Sequence, residues 1–531
     1  MCCNHDHGDN HLNRRNFIKL GSLGAAGLRA AGLGTAGALT AVAAATPSKS
    51  KAALPELARV GHSMRIGAPI KVQPALVYKL NKRREATSWR RWGGLQTQED
   101  VDREAANIKE ELSELSAGAD FPVEFLPLAL ISTPEQAAAA KRTGCDVQLT
   151  YWASGEYDNI RYEAFIDSGK PNIMFVRDES GPHYGGYLHA QSHFLRKRTD
   201  EFQQEGMDVW DVVVDDYSEL LWRFRSLYGL NTMRGSRILA IGGASGWSPT
   251  ARRFAPARAR ECFELDIVEI SYEELGEVLG REMKNSKTLE QAERQAQELL
   301  SEKGVFLHTK KEFLYNSFVL KKVFRQLMEQ YDSPAMTINS CMSTIMPLSG
   351  TTACMPLTLL NDEGLLAYCE SDFAVVPACM LLRYISGRPV FFANPSIPNN
   401  GVTTVAHCMA PRKMDGLTPE PTRIMTHYES DYGAAPKVEL KKGQTLTVIA
   451  PNFHMSKWTG FRGKVLKNPD HPICRTQVKI AIDGDWRTLR EKVQGFHWAV
   501  GYGDYRRELG YALKRVGIQW QDISNGESTS S

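Results

Sequence analysis

The densest set of groups able to do chemistry lies between residues 361 and 429. It comprises Asn361-Asp362-Glu363, Cys369-Glu370-Ser371-Asp372, Asn394, His407-Cys408 and His427-Tyr428-Glu429, set in mostly apolar sequence. Carboxylates in such surroundings need partners, because an unpaired charge away from water is heavily penalised. Glu370 and Asp372 stand just ahead of Phe373 to Leu382, a run without charge. In one reading Asp372 caps the helix that this run would form and Glu370 is half of an internal ion pair. In the other the two are part of a divalent-cation site of oxygen and imidazole ligands, since His407 follows Glu370 by 37 residues and further histidines come later. Such a ligand set suits Mn²⁺ or Co²⁺ rather than a thiolate zinc site. Far upstream, Trp89-Arg90-Arg91-Trp92-Gly93-Gly94 has the make-up of a sugar-binding edge. An indole face suits the apolar side of a pyranose, and Arg suits hydroxyls or carboxylates; the same residues also suit an interface or core anchor.

The segments Leu359-Leu360-Asn361-Asp362-Glu363-Gly364, Cys369-Glu370-Ser371-Asp372 and Ser386-Gly387-Arg388-Pro389-Val390-Phe391 together resemble the core of the L-fucose and L-arabinose isomerase superfamily, particularly its exported sugar isomerase-like branch. The resemblance implies a three-domain protein that binds Mn²⁺ through two acidic residues and at least one histidine and interconverts aldoses and ketoses through an enediol. By position, Glu370 takes the place of the first metal-binding Glu, and His407 and His497 take those of the histidines. Asn394 stands where the second acid is expected. Asparagine can offer a carbonyl oxygen to a metal but cannot take up a proton, so the site keeps one anionic ligand, and Asp372 becomes the candidate to complete proton transfer beside Glu370. The alternative is a non-catalytic sugar-binding protein on the same fold. The resemblance further implies a homo-oligomer in which the first domain of one subunit, and with it Trp89, Arg90 and Trp92, caps a neighbour's site.

These residues need a scaffold, and the hydrophobic patterning predicts one of α/β class. Two Rossmann-like α/β domains with parallel sheets are expected over 63–235 and 236–355, followed by a β-rich C-terminal domain carrying the metal site over 356–525. Short apolar runs at Phe121 to Leu126, Asp146 to Tyr151, Asn172 to Val176, Arg237 to Ile241 and Phe263 to Val268 read as strands alternating with amphipathic helices. Helices are expected from a Thr97 cap to Leu115, with Gly118 at the end, and from a Thr288 cap to Lys303. The loop Gly242-Gly243-Ala244-Ser245-Gly246-Trp247 lacks the spacing of a dinucleotide fingerprint and reads as a tight turn between strand and helix. Beyond residue 395 the period shifts to two, at Lys437 to Leu440, Gln444 to Ile449 and Gln477 to Ile482, which predicts antiparallel strands, with a closing helix from Tyr505 to Val516.

The first 45 residues belong to none of these domains. Arg14-Arg15-Asn16-Phe17-Ile18-Lys19, then an Ala/Gly-rich stretch ending at Ala43-Ala44-Ala45, resembles a twin-arginine export signal, which implies the export machinery as a partner and a periplasmic or extracellular destination, or a membrane tether if the signal is not cleaved. A linker over 46–62 and a disordered tail over 526–531 complete the division. The whole chain of 531 residues carries a net charge of +3; the leader holds four cations and two acids, which leaves 60 Lys plus Arg against 59 Asp plus Glu. So even a balance provides no basic field for nucleic acid and suits a small uncharged substrate such as a sugar. Eight cysteines follow the leader, with no CxxC pair among them, and read as buried thiols that pack as small hydrophobes.

Overall fold

Ile70–Val77 is buried at every position except Lys71 and forms the central strand of the first sheet. Such a run, apolar without alternation, is what a strand covered on both faces requires. The computed structural model describes residues 58–60, 63–154, 169–195 and 208–524, all within one compact unit spanning 51–531. The expected export signal over 1–45, most of the expected linker and the expected tail over 526–531 lie outside the described residues.

A short antiparallel hairpin, β1 (Ala58–Val60) with β2 (Ser63–Arg65), precedes the first sheet. That sheet holds β3 (Ile70–Val77), β4 (Val123–Phe125), β5 (Ala129–Ile131), β6 (Val147–Trp152), β7 (Asn172–Val176) and β8 (Val212–Val214). Every pairing is parallel, in the order β4-β3-β6-β7-β8, with β5 also on β3. The helix Gln98–Gly118 covers it through Val101, Ile108 and Leu112. As its sequence predicts, Thr97 and Asp100 close a capping box at its start.

The second parallel sheet takes β9 (Arg237–Ile241), β10 (Asp266–Ile270), β12 (Ala335–Ile338) and β13 (Leu366–Tyr368), in the order β10-β9-β12-β13. Because β13 pairs with β12, this layer runs past residue 355 and on through the helix Val376–Ser386, so the division expected between 355 and 356 falls inside it. The reason is physical: Leu366–Tyr368 is wholly buried and completes a sheet edge that residues 236–355 leave open. Two element boundaries also differ from expectation. The second long helix is Ser286–Ser301, capped by Asn285 rather than Thr288, and Phe263 ends a helix instead of opening a strand.

The last part of the chain is antiparallel. β14 (Phe391–Pro395), β15 (Val402–His407), β18 (Thr445–Pro451), β19 (Lys457–Lys467), β20 (Thr476–Asp483) and β21 (Trp498–Tyr502) follow one another as β18-β21-β14-β15-β20-β19, and a further β18 to β19 pairing closes the ring. Closure removes free edges, and the inward positions Phe391, Val405, Val448, Phe461, Val478 and Val500 fill the interior. β22 (Gln519–Asp522) lies parallel on β19, while β11 (Val305–Leu307), β16 (Thr422–His427) and β17 (Tyr432–Val438) form a separate three-stranded sheet. The fold is therefore parallel sheets with helices followed by an antiparallel barrel. Among the described residues no helix is long and apolar enough to cross a membrane.

Candidate metal centre

In parallel sheets ligands collect outside the carboxyl ends of the strands, where loops diverge and backbone groups are free. Three strands of the second sheet end at one cleft of about 1010 Å³. β9 runs into Ser245-Gly246-Trp247, β12 into Asn339 to Ser343, and β13 into Cys369-Glu370, all of which line it. The barrel closes the opposite wall with Asn394, Pro395 and Ser396 from the end of β14, with Thr404, Ala406, His407 and Cys408 from β15 and just beyond it, and with Phe496 ahead of β21.

The turn after β13 is unusual. Glu370 and Ser371 are consecutive non-glycine residues in the left-handed region, at φ 64° and 43°. Each such residue costs of the order of 1–3 kcal/mol and persists only where its surroundings hold it. Thr337 Oγ1 accepts from Ser371 N at 3.1 Å, Ser371 O accepts from Ser245 N at 3.2 Å, and Ser245 O accepts from Phe373 N at 3.1 Å. The glycine-rich loop, expected as a plain tight turn, thus also clamps the strained segment.

Glu370 faces two imidazoles. Oε1 lies 3.5 Å from His407 Nε2 and Oε2 lies 3.0 Å from His497 Nε2. Behind His497, Nδ1 stands 2.8 Å from Asp372 Oδ2, and both of these side chains are fully buried. Asp372 also accepts from Ala374 N at 3.2 Å through Oδ1, which fixes the turn ahead of the helix Val376–Ser386 without capping it, so the expected cap is not formed by its side chain. Neither Asp372 nor His497 lines the cleft; the chain Asp372, His497, Glu370 runs from the interior to the cleft wall. Burial opposes the charge on Glu370, yet the imidazoles of His407 and His497 hold its carboxyl far below the usual range. Burial likewise opposes a charged His497, and Asp372 and Glu370 outweigh it and raise its pKa.

The approaches to Glu370 are close but misdirected for hydrogen bonds. Glu370 Oε2, His497 Nε2 and both ring nitrogens of His407 are buried without a hydrogen-bond partner. Orphaned buried polar atoms of this kind are rare and ask for a missing partner. Two donors each about 2.1 Å from one cation stand about 3.0 Å apart at a right angle and about 3.4 Å apart at the tetrahedral angle. The 3.5 Å between Glu370 Oε1 and His407 Nε2 is close to the separation of two ligands of one cation. Cys369, Glu370 and His407 bring one ligand atom each to within 4.8 Å of one another, a cluster that could hold a metal ion.

Of the residues singled out in the sequence, Glu370, His407, His497 and Asp372 converge. Asn394 lines the same cleft, and one step beyond the Ala393 to Trp498 pair it comes opposite His497. Asp362 and Glu363 lie elsewhere: Asp362 accepts from Arg412 N and Lys413 N, and Glu363 binds Lys321 and Arg325. Trp89, Arg90 and Trp92 do not line the cleft of their own chain. Arg90 stacks over Trp89, and Trp92, 58% exposed, stacks on His189 at 4.9 Å, so within one chain they stand on the first layer, away from this cleft.

Sequence reasoning missed the sulfur and the aromatic rim. Cys341, Cys354, Cys369, Cys408 and Cys474 all line the cleft, although only the adjacency Cys369-Glu370 and His407-Cys408 hints at this in the sequence. Trp247 stacks on Phe496 at 4.4 Å and 9°, joining the second layer to the barrel at the cleft wall. No protein-family model matches the chain, and no curated protein matches it.

Proposed function

We propose that the protein is an exported, metal-dependent enzyme of the sugar isomerase type, built on two Rossmann-like layers and a barrel, which interconverts an aldose and a ketose through an enediol. The observation that supports this reading is the set of orphaned polar atoms at the cleft wall, Glu370 Oε2 and both nitrogens of His407, buried and without partners beside the Cys369, Glu370 and His407 cluster. Glu370 and His407 are the residues that would hold the cation, for which the family resemblance suggests Mn²⁺. A cation there would polarise the carbonyl and neighbouring hydroxyl of a bound sugar. Glu370 takes the proton from carbon and returns it to the adjacent one. His497, 3.0 Å from Oε2 and backed by Asp372 at 2.8 Å, shares that charge during the transfer. Ser396, Thr404 and Asn394 offer hydroxyl and amide partners to sugar hydroxyls, and the Trp247–Phe496 pair offers an apolar face. The two sides of the cleft come from different layers, and a homo-oligomer would bring a neighbour's Trp92 to its mouth.

Elemental analysis of the purified protein and a screen of pentoses, hexoses and deoxy sugars for aldose-ketose interconversion test this. Stoichiometric metal and turnover are expected, both lost in Glu370→Gln; a metal-free protein inert toward every sugar would sink the reading. A second reading is favoured by one observation, the neutral Asn394 on the cleft wall: a protein that binds sugar without turning it over. Asn394→Asp separates the two, since activity gained points to an enzyme frame, and tight sugar binding with no activity in either form points to a binder.

A further inference from the structure

We propose that the Cys369 thiolate is itself a ligand of this centre and supplies the anionic donor that Asn394 withholds, so that the centre is built for a borderline-soft cation of the Zn²⁺ or Co²⁺ class rather than for Mn²⁺ or Mg²⁺. The inference rests on the metal-centre reading above and deepens it.

Successive side chains at the end of a strand point to opposite sides. Cys369 and Glu370 nevertheless both line the cleft, and the left-handed turn at Glu370 is where the chain departs from that alternation. The outcome is a two-residue chelate whose sulfur and carboxylate share a 4.8 Å neighbourhood with one nitrogen of His407. His407 is the independent sign of a ligand: its side chain is 6% exposed, neither ring nitrogen has a hydrogen-bond partner, and it comes from the barrel to meet the two residues of the parallel sheet.

The charge count agrees. One carboxylate leaves a divalent cation half compensated, whereas carboxylate plus thiolate neutralise it, as a largely buried site requires. Softness then decides the metal: thiolate with imidazole favours Zn²⁺ and its neighbours, and oxygen-only shells suit Mg²⁺ and Mn²⁺. Three protein ligands also leave a fourth position toward the cleft, the pattern of catalytic rather than structural zinc. The other thiols serve as internal controls. Cys408 packs with Cys354 and Cys474, and none of the three joins a group of ligand atoms as tight as that of Cys369.

X-ray absorption of the purified full chain loaded with Zn²⁺ should show one sulfur scatterer at about 2.3 Å beside nitrogen and oxygen at about 2.0–2.1 Å. The Co²⁺ form should show a thiolate-to-cobalt charge-transfer band in the near ultraviolet. Cys369→Ser should lose both signals, while Cys408→Ser keeps them, and the preference for Zn²⁺ over Mn²⁺ should fall at least about tenfold in Cys369→Ser. A bound ion with only nitrogen and oxygen around it overturns the proposal but leaves the metal centre standing. A sulfur signal that survives Cys369→Ser and vanishes in Cys408→Ser does the same. Absence of any stoichiometric ion in the wild-type protein removes the metal centre and the thiolate ligand together. Where a variant fails to fold, the wild-type absorption spectrum still distinguishes a sulfur-bound ion from one held by nitrogen and oxygen alone.

Discussion

Asp372 carries two tasks at one residue, and they can be separated. Its Oδ1 accepts from Ala374 N in the turn ahead of the helix Val376–Ser386, and its Oδ2 faces His497 Nδ1 at 2.8 Å. Asp372→Asn keeps an oxygen for the Ala374 turn but removes the charge that supports His497. A group bonded directly to a metal ligand is typically worth 10- to 100-fold in affinity, and Asp372 acts one step further out, through His497 on Glu370. We expect a fall of no more than about tenfold in chelator competition, together with a lower His497 pKa by NMR; unchanged values of both would leave Asp372 a residue of the local turn alone. Asp362 makes a different prediction. Burial pushes its carboxyl up to about 6, against the pull of Arg412 and of the Lys413 and Arg412 N–H groups. The native state therefore holds a proton that the unfolded chain releases near pH 3.8. Stability should decline as pH rises from about 4 to about 6 and level off above, by at most about 3 kcal/mol from this group. Urea unfolding between pH 4 and 7 should show that decline in the wild type and its flattening in Asp362→Asn.

At the scale of elements, the helices Tyr217–Met233 and Val376–Ser386 hold the first and second layers together, and they touch through a glycine. A Cβ at Gly229 would lie 2.4 Å from Ile385 Cγ1 and 3.0 Å from the Ile385 backbone nitrogen. Alanine would gain about 1 kcal/mol of helix propensity. Forcing the two backbones apart costs about 1–3 kcal/mol, and more where, as here, a main-chain atom cannot step aside. Gly229→Ala should therefore lower the unfolding midpoint, while Gly235→Ala, with open space around its Cβ but a φ of 67°, separates backbone strain from this contact. The same contact explains what the sequence can express. Asn172–Val176 and Arg237–Ile241 are strands to the residue, and Thr97 caps its helix, because those features depend on near neighbours. The assignment of Leu366–Tyr368 to the second sheet depends on its partner Ala335–Thr337, some thirty residues away, and no local pattern encodes it. The site divides in the same way. Glu370 and His407 are legible from their chemistry in an apolar setting, whereas the gathering of Cys369, Trp247 and Phe496 is set by three strand ends and a barrel meeting at one place.

At the scale of the whole molecule, the chain returns from the barrel to the layer where it began. The helix Arg506–Lys514 lies against Tyr217–Met233, and Trp222 meets Tyr511 edge-on at 5.5 Å. Glu508 binds Arg225 at 2.8 Å, and Lys514 pairs with Asp208. Asp211 is the centre of this seam: one oxygen takes Tyr511 Oη at 2.8 Å and Arg515 at 2.7 Å, and its side chain is 11% exposed. Because that helix also leads into β22 on the barrel, the seam couples the barrel to the first layer. Asp211→Ala removes the acceptor of Tyr511 Oη and the counter-charge of Arg515, which keeps only its bond to Tyr511 O at 3.0 Å and its stacking on the Tyr511 ring. Breaking a buried pair from one side costs about 3–5 kcal/mol, a figure to be reduced here because Arg515 is 18% exposed. We expect a loss of about 2–3 kcal/mol in urea unfolding, and earlier cleavage in the first layer than in the barrel under limited proteolysis. A uniform rise in cleavage across both parts would mean that the layers unfold as one cooperative body, with the seam contributing stability but no separate docking step.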